Sequence, residues 1–177
     1  STDDQRLLNI GRKNGIISIK RNKDLSSDKA SKVDVFKYLS KIIKNDFIID
    51  LDITAPLRDK NDILGVFKYL RAGSDIAFAA CKMNSINPYF NMVEKKPNGY
   101  LGTVGEGKFV RTQDTPSVYL LNSIIGWKRN YLLNTNNLYE TNFWSIHEMQ
   151  EYKMFDIDKY MDFLIVKTLM ENNLWKY

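Results

Sequence analysis

Cysteine and histidine are nearly absent from this chain of 177 residues, which has one of each, Cys81 and His147. One cysteine excludes an internal disulfide and leaves no thiolate cluster to hold a metal. One histidine obliges any Ser-His-Asp or Cys-His mechanism to run through His147 alone, and the reading adopted is that His147 is structural or exposed. Cys81 lies in an apolar run over residues 76–81, which predicts a buried, inert thiol. No run approaches the ~18 apolar residues of a membrane-spanning helix. Residues 1–10 lack the basic-then-apolar layout of a secretion signal, so the sequence reads as soluble and cytoplasmic. The nine glycines form no G-x-x-x-x-G-K-[ST] phosphate loop.

What is present describes a globular protein. Apolar residues make up 44% and charged residues 27%, and the length suits a single domain over residues 1–177. The 26 basic and 21 acidic side chains leave a net charge of +5. That surplus suits an anionic ligand. Without interleaved aromatic and basic clusters it argues against nucleic acid as a partner, and nothing marks a membrane-binding surface.

The chain alternates between helical and strand-like periodicities. Short capping side chains at residues 1–4 precede Leu7, Leu8 and Ile10 at helical spacing, and Gly15 closes that helix. Residues 16–19 predict a short buried strand, and residues 20–32 a charged loop. Val33, Phe36, Leu39, Ile42 and Ile43 mark an amphipathic helix. Residues 47–52 have the near-continuous apolar character of a central parallel strand covered on both faces. A helix carrying Ile63, Val66, Phe67 and Leu70 follows, then a strand over residues 75–83. This alternation predicts an open α/β sheet.

Between residues 88 and 110 the rhythm changes. Strand-like pieces such as residues 89–93 flank Pro97-Asn98-Gly99, a hairpin turn, and predict an antiparallel excursion. Residues 118–121 and 124–127 regain strand character. Residues 134–142 form a polar loop, and residues 154–157 lead as a late strand into a last helix with Phe163, Leu164, Val166, Leu169 and Met170.

Ligands of open α/β sheets bind beyond the carboxyl ends of the strands. Three groups fall there: Lys20-Arg21, the stretch from Asp52 to Arg58, and Asp156-Ile157-Asp158. Two carboxylates at i and i+2 of an extended segment point the same way and can share a Mg²⁺ that keeps several waters. Arginines nearby can hold phosphate or carboxylate bidentately. Each group alone also reads as a solvated turn, a cap or a surface ion pair.

Their order along the chain is more specific. Ser1-Thr2-Asp3-Asp4, Lys20-Arg21 with Leu25-Ser26-Ser27-Asp28, and Asp52-Ile53-Thr54-Ala55-Pro56-Leu57-Arg58 with Asp62-Ile63 come first. Arg111-Thr112-Gln113-Asp114 with Pro116 and Tyr119, Asn122-Ser123, and Asp156-Ile157-Asp158 with Asp162-Phe163 follow. This set resembles the acylneuraminate cytidylyltransferase family, the CMP-nonulosonic acid synthetases, over essentially the whole chain. The resemblance implies a Rossmann-like nucleotidyltransferase sheet, mostly parallel and three-layered (α/β/α), with a small antiparallel dimerisation excursion at residues 88–120. It implies a homodimer that transfers CMP from CTP to a sialic or related nonulosonic acid. By the resemblance, Asp156 and Asp158 hold Mg²⁺ or Mn²⁺, Arg21, Ala30 and Lys32 bind CTP, and Asp52, Thr54, Ala55, Arg111, Gln113 and Asn122 face the sugar.

Four departures stand out. The family's opening strand and its ARGGSKG-like phosphate loop have no counterpart here, so the chain is expected to be a fragment that binds CTP poorly by itself. Asp52 replaces the glutamine of Q-P-T-S-P-L-R, Thr112 replaces an arginine of R-R-Q-D, and Ser123 replaces the glycine of N-G. Two alternatives follow: a cytidylyltransferase for another keto-acid sugar such as 3-deoxy-manno-octulosonate, and a non-catalytic nucleotide-sugar-binding domain.

Overall fold

The computed structural model describes residues 1–27, 29–137, 140–172 and 174, so Asp28 of the Leu25-Ser26-Ser27-Asp28 motif lies outside the described residues. The chain divides into two compact units, residues 1–48 with 129–140 and residues 49–128 with 141–177.

In the first unit, α1 (Gln5–Lys13) starts where the Asp4 carboxylate accepts the amides of Arg6 and Leu7. It ends at Asn14, followed by Gly15 at φ 72°. Residues 16–19, expected to be a buried strand, are not one. Among the described residues their segment pairs only through the neighbouring Thr2–Lys20 bridge, and Ile16 and Ile17 are 62% and 82% exposed. Ile16-Ile17-Ser18-Ile19 is compatible with a strand, but a strand needs neighbours along its length, and a single bridge to Thr2 does not supply them. Ser31 caps α2 (Lys32–Ile42) by accepting the Asp34 amide, and Val33, Val35 and Ser40 are its buried side chains. Opposite α2 lies α4 (Arg129–Asn134), which the periodicity did not reveal. Arg129 ties the two by donating Nε to the Ser40 carbonyl, 3.1 Å away.

The second unit is built on a sheet with strand order β1-β5-β2-β6. Its strands are β1 (Phe47–Leu51, in this unit from residue 49), β2 (Ile76–Met83), β5 (Val118–Lys128) and β6 (Trp144–Met149). β2 pairs parallel with β6 and antiparallel with β5, and its residues 76–81 are fully buried. β1, read as a central strand, stands at the edge, and residues 47–50 are only half-buried. An apolar run reports partial cover on two faces and does not report a place in the strand order. The two strand-like pieces at 118–121 and 124–127 are one strand, interrupted at Ser123, which has φ 56°. Trp127 is fully buried, whereas Trp144 is exposed and meets Phe78 edge-on.

Helix α3 (Lys60–Arg71) lies on β5 with no room to spare. A Cβ at Gly126 would come within 2.7 Å of Leu70 Cδ1 and 2.9 Å of Val66 Cγ1. Helix α5 (Tyr160–Glu171) buries Val166 against Leu57, with Phe155, Ile157, Leu169 and Met170 packed around them. The late strand expected at 154–157 is instead the end of a 3-10 turn, Glu151–Met154, followed by Phe155 in an extended conformation. Phe155 and Ile157 are apolar because they fill this cluster, and the true strand, β6, precedes the turn.

The excursion contains the hairpin that Pro97-Asn98-Gly99 announces. β3 (Val93–Lys95) and β4 (Leu101–Thr103) pair antiparallel, and Gly99 has φ 86°. Of residues 89–93, expected to be strand, 89–91 form a turn and only Val93 lies in a strand. Asn87 draws the chain around, its carbonyl accepting the amides of Phe90, Asn91 and Met92 and its side chain that of Tyr89. Such local bonds compete with a ladder. No helix among the described residues is long and apolar enough to cross a membrane.

Candidate active site

The loop after β1 is held by its own polar groups. Thr54 donates its hydroxyl to Asp52 Oδ1 at 3.2 Å. The Arg58 guanidinium donates to the carbonyl oxygens of Asp52 and Ala55. Ala55 and Leu57 are buried beneath. Across the sheet edge, the Asp52 amide donates to the Ser123 carbonyl at 2.8 Å.

A buried ion cluster closes the loop's far end. Asp59 and Asp62 form a reciprocal capping box at the start of α3. Lys153, from the 3-10 turn, donates Nζ to Asp62 Oδ2 at 2.7 Å and to Asp59 Oδ2 at 2.9 Å. Lys153 and Asp62 are each only 4% exposed. Burial on its own would raise the Asp59 carboxyl, yet the Lys153 ammonium and the amides of Asp62 and Asn61 hold it below its ordinary value. Burial likewise opposes the Lys153 charge, and the two carboxylates outweigh it and raise that pKa. His147 is half-buried, with Nε2 3.6 Å from Asp62 Oδ1.

From this cluster the chain runs directly to the paired carboxylates. The Lys153 carbonyl accepts Asn122 Nδ2 at 2.9 Å, and the Ile157 amide donates to the Thr54 carbonyl at 2.7 Å. Asp156 and Asp158 flank Ile157 in a tight turn, not on the extended chain expected from the sequence: the Asp158 amide donates to the Asp156 carbonyl at 3.2 Å, and both side chains are exposed, with no ion pair among the described residues. The Asp158 amide donates to Asp162, which also accepts the Lys159 amide at the start of α5. No set of three or more metal-ligating side chains occurs among the described residues. Two exposed carboxylates one residue apart fit a hard cation that keeps most of its waters, as Mg²⁺ does.

The structure thus gathers Asp52, Thr54, Asn122, Asp156 and Asp158 through shared backbone bonds. Gln113 lines a hollow of about 420 Å³ with Lys82, Asn84, Asn87, Thr112 and Pro116. Asn87 is buried and donates Nδ2 to Thr115 Oγ1 at 2.8 Å. Arg111 grips Asp114 of its own turn with two bonds, at 2.9 and 2.8 Å. Arg21, Ala30 and Lys32 belong to the first unit. Arg21 lies 3.9 Å from Asp3, the Ala30 amide donates to Ser27, and Lys32 opens α2. Sequence reasoning missed Asp59, Lys82, Asn87 and Lys153. The D-x-x-D spacing of Asp59 and Asp62 before an apolar run could have shown the cap, but nothing local to Lys153 signals its burial.

No family model matches the chain. Among curated proteins, flagellin modification protein B of Campylobacter coli is 32% identical over 98% of this chain and 77% of its own length. CMP-N,N'-diacetyllegionaminic acid synthase of Campylobacter jejuni is 32% identical over 96% of this chain and 75% of its own length. The chain belongs to the CMP-nonulosonic acid synthetase family. The fold agrees. CMP:2-keto-3-deoxy-manno-octonic acid synthetase, solved with CTP, superposes with a TM-score of 0.69 at 14% identity, covering 97% of this chain and 79% of that one. The 4-diphosphocytidyl-2C-methyl-D-erythritol synthase of Anaerococcus prevotii gives 0.57 at 12%, covering 92% and 85%. Both neighbours are α/β nucleotidyltransferases, the class expected from the sequence.

Proposed function

We propose that this CMP-nonulosonic acid synthetase family member transfers CMP from CTP to the anomeric hydroxyl of a nonulosonic acid. The hydroxyl oxygen bonds to the α-phosphorus, the bond to the β-phosphate oxygen breaks, and pyrophosphate leaves while the hydroxyl proton passes to solvent. The observation that carries this reading is the 32% identity to a CMP-N,N'-diacetyllegionaminic acid synthase over 96% of the chain. Catalysis of this kind rests on positioning and charge neutralisation.

Asp156 and Asp158 are the residues to hold Mg²⁺ or Mn²⁺, which when bound neutralises phosphate charge. Asn122, Thr54 and Asp52 line the adjoining edge and are assigned to the sugar, with Ala55, Arg111 and Gln113. Lys82, the cation on the hollow that holds Gln113, suits the sugar's carboxylate. Arg21, Ala30 and Lys32 are assigned to CTP by family resemblance. The active form is proposed to be a cytoplasmic homodimer joined through residues 88–120, where Tyr100, Leu101 and Val110 are 76%, 70% and 88% exposed.

The test is incubation with CTP, Mg²⁺ and a panel of acidic sugars including 3-deoxy-manno-octulosonate, following pyrophosphate and CMP-sugar. Product with a nonulosonic acid is expected. Product with the eight-carbon acid alone would move the substrate, and ligand binding without any product would make this a binding domain.

A further inference from the structure

Lys153 occupies a place that none of its neighbours in sequence explains. Its side chain is almost fully buried, and burying an ammonium is costly unless it is paired and hydrogen-bonded. Here it binds Asp59 and Asp62, the two members of one capping box, at 2.9 and 2.7 Å. Those residues end the loop that carries Asp52 and Thr54. Its backbone carbonyl holds the Asn122 amide, and three residues on stand Asp156, Ile157 and Asp158, which the Ile157–Thr54 bond ties back to the same loop. Three segments therefore meet at this residue: its side chain holds the end of the loop after β1, its backbone carbonyl holds Asn122 in the middle of β5, and the chain just beyond it carries the carboxylate pair.

We propose that Lys153 is a positioning residue that sets the separation of the Asp156–Asp158 pair from Thr54 and Asn122, and so fixes how tightly the pair grips its cation. This rests on the CMP-transfer reading for its catalytic consequence but not for its geometry. Groups behind a metal's direct ligands typically govern its affinity by about 10–100-fold. Besides the local bonds of the Asp158 amide to Asp162 and to the Asp156 carbonyl, the Ile157–Thr54 bond is what ties the pair to the loop after β1.

The experiment compares full-length wild type with Lys153→Met, Lys153→Arg and Asp59→Asn. Amide hydrogen exchange reads the Ile157–Thr54 bond directly, and Mn²⁺ binding followed by electron paramagnetic resonance reads the pair without turnover. Lys153→Met should speed Ile157 exchange at least about tenfold and weaken Mn²⁺ by about 10–100-fold. The β2 amides should keep their protection, and Lys153→Arg should restore most of both effects. In turnover, the metal activation constant should rise while KM for CTP at saturating metal stays put. Should Lys153→Met fail to fold, Asp59→Asn is the variant to read. It keeps the helix cap and the Asp62 contact but loosens one anchor, so faster Ile157 exchange is expected there too. Unchanged Ile157 exchange and Mn²⁺ affinity in a folded variant would overturn the proposal. A wild type that makes no CMP-sugar would instead sink the functional reading, leaving exchange and Mn²⁺ binding to decide the role of Lys153.

Discussion

Ser123 accepts the Asp52 amide at 2.8 Å from a left-handed backbone, the one non-glycine residue with positive φ among the described residues. The family's N-G pattern places glycine here, and the geometry shows why: the conformation strains any residue with a Cβ. The Ser123 hydroxyl is buried and has no hydrogen-bond partner among the described residues. Ser123→Gly should therefore stabilise the protein by up to about 1 kcal/mol, relieving strain and a stranded hydroxyl while adding unfolded-state entropy. A urea midpoint that stays put or falls would contradict this.

Removing charge from the carboxylate pair should act on turnover. Asp158 is exposed and gives no side-chain support to the fold, so Asp158→Asn should leave the thermal midpoint unchanged. With CTP saturating, kcat should fall by at least about 100-fold, because charge neutralisation matters most in the transition state. Full kcat in the variant would remove Asp158 from the site.

The buried ion cluster predicts two limbs of pH dependence. Asp59 is held below its ordinary 3.8, so the unfolded chain takes up its proton first. Its share of stability is full above about pH 4 and is lost as pH falls through the folded value. Lys153 is held above its ordinary 10.5, so its share is full below that pH and is lost as pH rises through the folded value. Lys153→Met should flatten the acid limb, because Asp59 then loses its partner. Urea midpoints between pH 2.5 and 6 check this, and parallel curves for the two proteins would refute it.

Cys81 is fully buried in β2, and burial, with the Asp62 charge nearby, pushes its thiol up to about 11. The thiolate is the reactive form. At pH 8 the folded protein should resist a disulfide reagent and the urea-unfolded protein should consume one equivalent at once. Rapid labelling of the native state would place the thiol elsewhere.

Residues 88–120 expose a run of large apolar side chains on and around a short two-stranded hairpin, which is marginal in isolation. Sedimentation at tens of micromolar should give a dimer, and Leu101→Asp with Val110→Asp should give a monomer. A wild-type monomer at that concentration would end the homodimer proposal.

Much of the fold was legible because its signals are local. The Asp4 cap, the stripe of Val66 and Leu70, and the Pro97-Asn98-Gly99 turn all act within a few residues. What escaped depends on partners distant in sequence. Residues 16–19 have the composition of a strand without the ladder, and β1 has the composition of a central strand at a sheet edge. Half-exposed β6 lacks a clean alternation, so its pairing with β2 decides it. At the site, Asp156 and Asp158 were visible as a pair, but Lys153 contacts Asp59 across 94 residues and leaves no local trace.

The central strand also bears on how this scaffold can diversify. Ala77, Ala79 and Ala80 of β2 are fully buried, and Gly126 admits no side chain beneath α3. Enlarging any of these overpacks a region without slack, a change that typically costs about 1–3 kcal/mol. Under the proposed function, variation in sugar choice is therefore steered away from the buried part of the sheet. It is proposed to fall to exposed positions on the hollow, Lys82 at the end of β2, Asn84 and Gln113, where side chains can be exchanged one at a time while the frame beneath stays fixed.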